Sequence, residues 1–149
     1  MKPAPTTSAG ASSQTLHAST VAVDGRAVLI TGASGSGKSA LALQLMAHGA
    51  QLVADDRTLV ECDGESIVAS CPAAISGLIE ARGAGILNAE PSGPVPVALV
   101  VDLDHVAVAR LPAARTFDIL GRAVPCLHKI DASHFPAAIL QYLRWAAQE

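Results

Sequence analysis

Gly32-Ala33-Ser34-Gly35-Ser36-Gly37-Lys38-Ser39 is the segment with the most explicit chemistry in this chain, since it satisfies the spacing G-x-x-x-x-G-K-[ST]. Glycines at 32, 35 and 37 let the backbone curl so that successive N–H groups, those of Ala33, Ser34 and Ser36 included, point inward at phosphate oxygens. A helix beginning at Lys38 adds the partial positive charge of its N-terminus. In that arrangement Lys38 reaches the outer phosphates and Ser39 offers its hydroxyl to a bridging Mg2+, so the segment implies a bound nucleoside triphosphate such as ATP. A merely tight glycine turn is the bland alternative. The context argues against it, because the apolar run 27–31 reads as a strand before the loop and the residues after it favour helix.

A phosphate loop works with a carboxylate that helps position the metal, and two stretches supply one. Asp102 ends the apolar run Val97-Ala-Leu-Val-Val, the pattern of a buried strand delivering one acid to the metal. Asp55 and Asp56 follow the short apolar run 52–54, directly after the helix of the loop. A pair of acids can divide labour: one carboxylate holds metal or orients a partner while the other accepts a proton from an attacking hydroxyl. A solvated turn that happens to carry two acids is the competing interpretation. Glu80 and Arg82 are two residues apart and share one side of an extended segment, with Gly83 and Gly85 beside them. A carboxylate for metal and a guanidinium for phosphate fit that spacing, and so does an ordinary surface ion pair. His17 stands alone before the first apolar run and by itself specifies nothing.

The elements that must position these residues follow from the local patterns. Residues 20–23 and 27–31 read as strands joined through the turn Asp24-Gly25, residues 38–47 as a helix stopped by Gly49, and 52–54 as the next strand. Residues 58–61 and 66–69 flank Asp63-Gly64 as a second hairpin. Residues 97–101 form a central buried strand, and a closing helix spans about 136–147 with Ile139, Leu140, Leu143 and Ala147 on one face. The expectation is an α/β fold, a central β-sheet flanked by helices, with a loose arm over 1–15 and one domain over 16–149. The 149 residues are half hydrophobic and 15% charged, which suits one packed domain. A net charge of −3 and 3% aromatic residues disfavour nucleic acid as a partner. No apolar stretch approaches the roughly 20 residues that cross a bilayer, so no membrane role is expected. Cys62, Cys71 and Cys126 fit neither a zinc motif nor a disulfide framework, which points to reduced thiols in the cytoplasm.

Taken together, His17, the loop at 32–39, Leu52-Val-Ala-Asp-Asp56 and Ile79-Glu-Ala-Arg-Gly-Ala-Gly-Ile86 resemble the HPr kinase/phosphorylase family in order and spacing over about residues 16–130. The segment Glu-x-Arg-Gly-x-Gly-Ile is the most specific part of that resemblance. It implies a catalytic core similar to that of phosphoenolpyruvate carboxykinase, acting with ATP and Mg2+ on a serine of HPr or an HPr-like carrier of the phosphotransferase system. Carried across by position, Asp56 is the proton acceptor, supported by Asp55. His17 is the active-site histidine, Lys38 the phosphate-binding lysine, and Ser39 and Glu80 are magnesium ligands. Arg82 belongs to the signature segment, and Arg110 is the match for a further active-site arginine. Family members tend to form hexamers, so a homo-oligomer is expected, and many run the reaction backwards with inorganic phosphate or pyrophosphate as partner. Three departures stand out. Ala33 occupies a loop position where many members carry Asp. The expectation is a catalytic core alone, without the separate domain that precedes the histidine in longer members, resembling the shortened forms of alphaproteobacteria. The segment after Pro125 reads Cys-Leu-His-Lys-Ile-Asp where the family has Pro, Gly and Arg, so phosphorylase activity is expected to be reduced or absent.

Two other interpretations remain open on the sequence. One is a generic ATPase or small-molecule kinase in which Asp102 holds the metal. The other is a regulatory module that binds nucleotide and a partner without chemistry.

Overall fold

The computed structural model describes residues 12–145. In chain order the elements are β1 (Ser13–Leu16), β2 (Ala18–Val23), β3 (Arg26–Thr31), α1 (Lys38–Ala47), β4 (Gln51–Ala54), β5 (Thr58–Asp63) and β6 (Ser66–Ser70). There follow a 3-10 turn (Ala73–Ile75), β7 (Leu78–Ala81), β8 (Gly85–Asn88), β9 (Val95–Val106), β10 (Thr116–Ile119), β11 (Arg122–Lys129) and α2 (Phe135–Arg144). Nine strands make one sheet in the order β1-β5-β6-β9-β3-β2-β4, with β11 parallel to β9 and β10 antiparallel to β11. β7 and β8 form a separate two-stranded ribbon.

Local chemistry accounts for the elements around the loop. β2 and β3 pair antiparallel through Asp24 and Gly25, whose φ values of 52° and 74° give the two left-handed positions a tight hairpin turn needs. α1 ends in a backbone lock in which Gly49 N–H donates to Met46 O at 3.0 Å and Ala50 N–H to Leu45 O at 3.1 Å. Gly49 at φ 107° takes the left-handed position this lock requires. β4 returns beside β2, so β2 lies between β3 and β4 in the sheet.

Alternation along the central strands builds two cores, one on each face. Val28 and Ile30 of β3, with Leu99, Val101 and Leu103 of β9, pack with Leu41 and Leu45 of α1 and Ile139 and Leu143 of α2. Ala27 and Leu29 of β3 and Val100 of β9 face the other way, against Val60, Ile67, Ile119 and Val124. Both helices therefore lie on one face. The second face is covered by strands of the same sheet as it curls round, which corrects the expectation of helices flanking the sheet. The sheet curls because β9 is twelve residues long and is shared: its start pairs with β6, and the rest pairs with β3 and β11.

Further differences concern extent. Of the arm expected over 1–15, residues 1–11 lie outside the described residues, whereas Ser13, Gln14 and Thr15 belong to β1, paired with β5. The closing helix begins at Phe135 and ends at Arg144, and the last residues of its expected span lie outside the described ones. β10 and β11 were not anticipated, because Arg122, Pro125 and His128 break the alternation that would have marked a strand. Cys62, Cys71 and Cys126 are free thiols, and burial pushes those of Cys71 and Cys126 up. No helix of the described residues is long and apolar enough to cross a membrane.

Candidate functional site

Residues 32–37 curl between the end of β3 and the start of α1. Ser36 N–H closes a turn onto Ala33 O at 3.0 Å, and Ala33 N–H is held from outside by Asp104 Oδ1 at 2.9 Å. Gly32 has no room for a side chain: a Cβ there would lie 2.6 Å from Ser36 Oγ and 3.1 Å from Leu103 Cβ. Lys38 is 6% exposed, and its ammonium bridges the carbonyls of Gly32 and Ala33 at 3.0 and 3.1 Å, which fixes its charge at the loop. α1 has no acidic residue in its first turn to offset the positive end of its dipole.

The two acids after β4 have opposite surroundings. Asp55 is 8% exposed and accepts three hydrogen bonds: from Ser19 Oγ at 2.8 Å and Ser39 Oγ at 2.6 Å on Oδ1, and from Glu80 N–H at 3.0 Å on Oδ2. It thereby ties β2, the phosphate loop and the β7–β8 ribbon together. Asp56 turns away from that knot. Its backbone is left-handed at φ 70°, its N–H donates to Ser19 Oγ at 3.1 Å, and its Oδ1 lies 3.3 Å from His17 Nε2, with both side chains about half exposed. A non-glycine residue in that backbone region is uncommon and costs energy, and such outliers cluster at functional positions.

A cleft of about 470 Å3 opens between α1 and the ribbon, lined among others by Gly35, Lys38, Ser39, Asp56, Glu80 and Arg82. The predicted residues thus converge from four separate elements, with His17 reaching the cleft through Asp56. Asp102 is elsewhere: its Oδ1 accepts from Asp104 N–H at 2.9 Å and its Oδ2 lies 2.7 Å from His105 Nδ1. Arg110 sits on the exposed connection between β9 and β10 and does not line the cleft. Ser19 and Asp104 escaped the sequence reading. Ser19 had a signal, being a polar residue in an apolar strand two positions from His17 and so on the same face. Asp104 had none, because its partner Ala33 is 71 positions away.

The HPr Serine kinase C-terminal domain family matches residues 9–92, more than half of the chain. The chain belongs to that family. A solved structure described as the Hpr(Ser) kinase/phosphatase from Coxiella burnetii superposes with a TM-score of 0.73 at 30% identity, covering 88% of this chain and 94% of that one. The HPr kinase/phosphorylase of Lacticaseibacillus casei (strain BL23) is 39% identical over 116 residues, 72% of this chain and 35% of that protein. That of Levilactobacillus brevis is 45% identical over 76 residues, 50% of this chain and 24% of that protein. The chain therefore spans about a quarter to a third of the length of these curated relatives.

The segment matched to the HPr serine kinase domain contains His17, the phosphate loop, Asp55, Asp56, Glu80 and Arg82, whereas Arg110 falls beyond it. The residues present fit a nucleotide and a divalent cation. Ser36 Oγ is buried without a hydrogen-bond partner inside the loop. Ser39 and Glu80 offer only oxygen donors, the ligand type that Mg2+ takes.

Proposed function

We propose that the chain is an ATP-dependent protein serine kinase, with HPr or an HPr-like carrier as substrate. The observation that carries this is the division between two adjacent acids. Asp55 is sealed by three donors, while Asp56, half exposed beside His17, borders the cleft together with Lys38 and Ser39. An exposed carboxylate next to a phosphate loop is suited to receiving the proton of an incoming hydroxyl.

The loop backbone over 32–39, apart from the N–H groups of Ala33 and Ser36, holds the β- and γ-phosphates of ATP together with the ammonium of Lys38. Those two N–H groups are engaged by Asp104 and Ala33 O instead of the phosphates expected from the sequence. Ser39 and Glu80 are the magnesium ligands, and the cation supplies neutralisation of charge on the phosphoryl oxygens. Asp55 keeps Ser39 and the Glu80 backbone in place through their hydrogen bonds. A serine hydroxyl entering the open side of the cleft gives its proton to Asp56 as its oxygen bonds to the γ-phosphorus. The bond from that phosphorus to the β–γ bridging oxygen breaks, and ADP leaves. His17 orients Asp56, and Arg82 offers its guanidinium to the transferring phosphoryl group. The nucleotide-binding core is of the kind found in phosphoenolpyruvate carboxykinase. A homo-oligomer and a cytoplasmic setting accompany this reading. So does a phosphorylase reaction weaker than the kinase, given the replaced segment after Pro125.

The rival reading, in which Asp102 serves the magnesium of the nucleotide, has less support, since Asp102 does not border the cleft that Lys38, Ser39 and Glu80 line. Paired variants separate the two. Asp56→Asn is expected to lower transfer to carrier by about 100-fold or more while ATP binding by calorimetry stays within threefold. Asp102→Asn is expected to leave the transfer rate largely intact. The opposite pattern, a crippled Asp102→Asn and an active Asp56→Asn, would overturn the assignment.

A further inference from the structure

Behind the phosphate loop, β9 and β11 pair parallel in register from Cys126 opposite Val100 to His128 opposite Asp102. The register then jumps. Lys129 lies opposite Val106, so residues 103–105 of β9 have no counterpart on β11. A bulge of this kind bends a strand and re-aims its side chains. Here Asp104 N–H folds back onto Asp102 Oδ1, and His105 swings over Asp102 with Nδ1 2.7 Å from Oδ2. The His105 ring also stacks on that of His128, at 5.1 Å between centroids and 25° between planes. Asp102, His105 and His128 consequently bring one carboxylate and two imidazoles together, with a donor atom of each within 4.8 Å of the others. None of the three lines the cleft.

Two imidazoles and a carboxylate converging in this way are the donor set of a transition-metal ion, not of magnesium, which takes oxygen ligands. Three protein ligands with one position left to solvent is an arrangement zinc accepts. We propose that Asp102, His105 and His128 bind a zinc ion, joining β11 to the bulge of β9. Each imidazole ligates as the neutral ring, keeping its proton on the nitrogen that does not face the metal, and the carboxylate ligates ionised, so no group-transfer step is involved. The same bulge supplies Asp104, which holds Ala33 of the phosphate loop, so the ion would steady the wall on which that loop rests.

The test is calorimetric titration of zinc chloride into untagged, EDTA-stripped, nucleotide-free protein, for the wild type and for His105→Ala, His128→Asn and Glu80→Gln. The expected result is one ion per chain with a Kd below about 10 μM for the wild type and Glu80→Gln, and binding at least about tenfold weaker in both histidine variants. His105 is on the surface, so its variant keeps the comparison valid even should His128→Asn fail to fold. Wild-type binding weaker than about 10 μM, less than a tenfold loss in a folded histidine variant, or loss of the ion in Glu80→Gln would overturn the proposal.

Discussion

Asp55 and Asp56 diverge because the backbone turns left-handed at the second of them, at φ 70°, and only the first carboxylate is then directed into the interior. Three donors converge on Asp55, so its removal leaves the buried Ser19 hydroxyl, the part-buried Ser39 hydroxyl and the Glu80 N–H short of acceptors. An asparagine has a single acceptor oxygen and would turn its own N–H groups toward at least one of those donors. Asp55→Asn is expected to cost about 1–3 kcal/mol of stability, measured by urea unfolding, and to weaken Mg·ATP binding because Ser39 is no longer held. Stability equal to wild type would contradict the picture of Asp55 as the tie between β2, the loop and the ribbon. Adjacent acids after a strand can be recognised in sequence as a pair able to divide labour, but the partners that divide it cannot. The difference lies in Ser19, Ser39 and Glu80, which reach Asp55 from 36, 16 and 25 positions away.

The loop is fixed at three points: its own turn onto Ala33, the Lys38 bridge to Gly32 and Ala33, and the Asp104 brace from β9. The first two are local, and the strand, loop and helix that make them were legible, down to the boundaries of α1 at Lys38 and Ala47. The third was not. It depends on β3 and β9 lying parallel side by side, with Thr31 opposite Asp102, and on the bulge that carries Asp104 back toward the loop. The ribbon of β7 and β8 was hidden for a related reason. Glycines 83 and 85 mark flexibility, yet only pairing of Glu80 with Ile86 and burial of Ile79 against the α1 side of the core make a hairpin of the segment. Asp104→Ala removes one hydrogen bond from a loop still held by two other contacts. Its expected effect is ATP affinity weakened up to about tenfold by calorimetry, with the melting temperature nearly unchanged. Unaltered affinity would mean that the brace is incidental.

At the scale of the whole molecule, one curled sheet with both helices on a single face leaves the start of α1 and the ribbon free to form an open cleft. Lys38, Asp56 and Arg82 gather there with Ser39 and Glu80, while Asp55 and His17 reach it through Ser39 and Asp56. That convergence comes from residues 17 to 82, which fall within the stretch shared with the HPr serine kinase domain family. The resemblance could be seen in the sequence through Glu80-x-Arg82 and Asp55-Asp56, whereas the curl that covers the second face could not, since it arises from β9 serving several partners along its length. The cleft is broad and bordered by an exposed acid, a shape suited to a serine presented on another protein. The most direct measurement is incubation of the protein with γ-labelled ATP, Mg2+ and purified HPr, and in parallel with a purified HPr-like carrier, followed by identification of the labelled residue. The account predicts label on a serine of one of these carriers, dependent on Asp56. Stoichiometric ATP binding with no label on either carrier would contradict it.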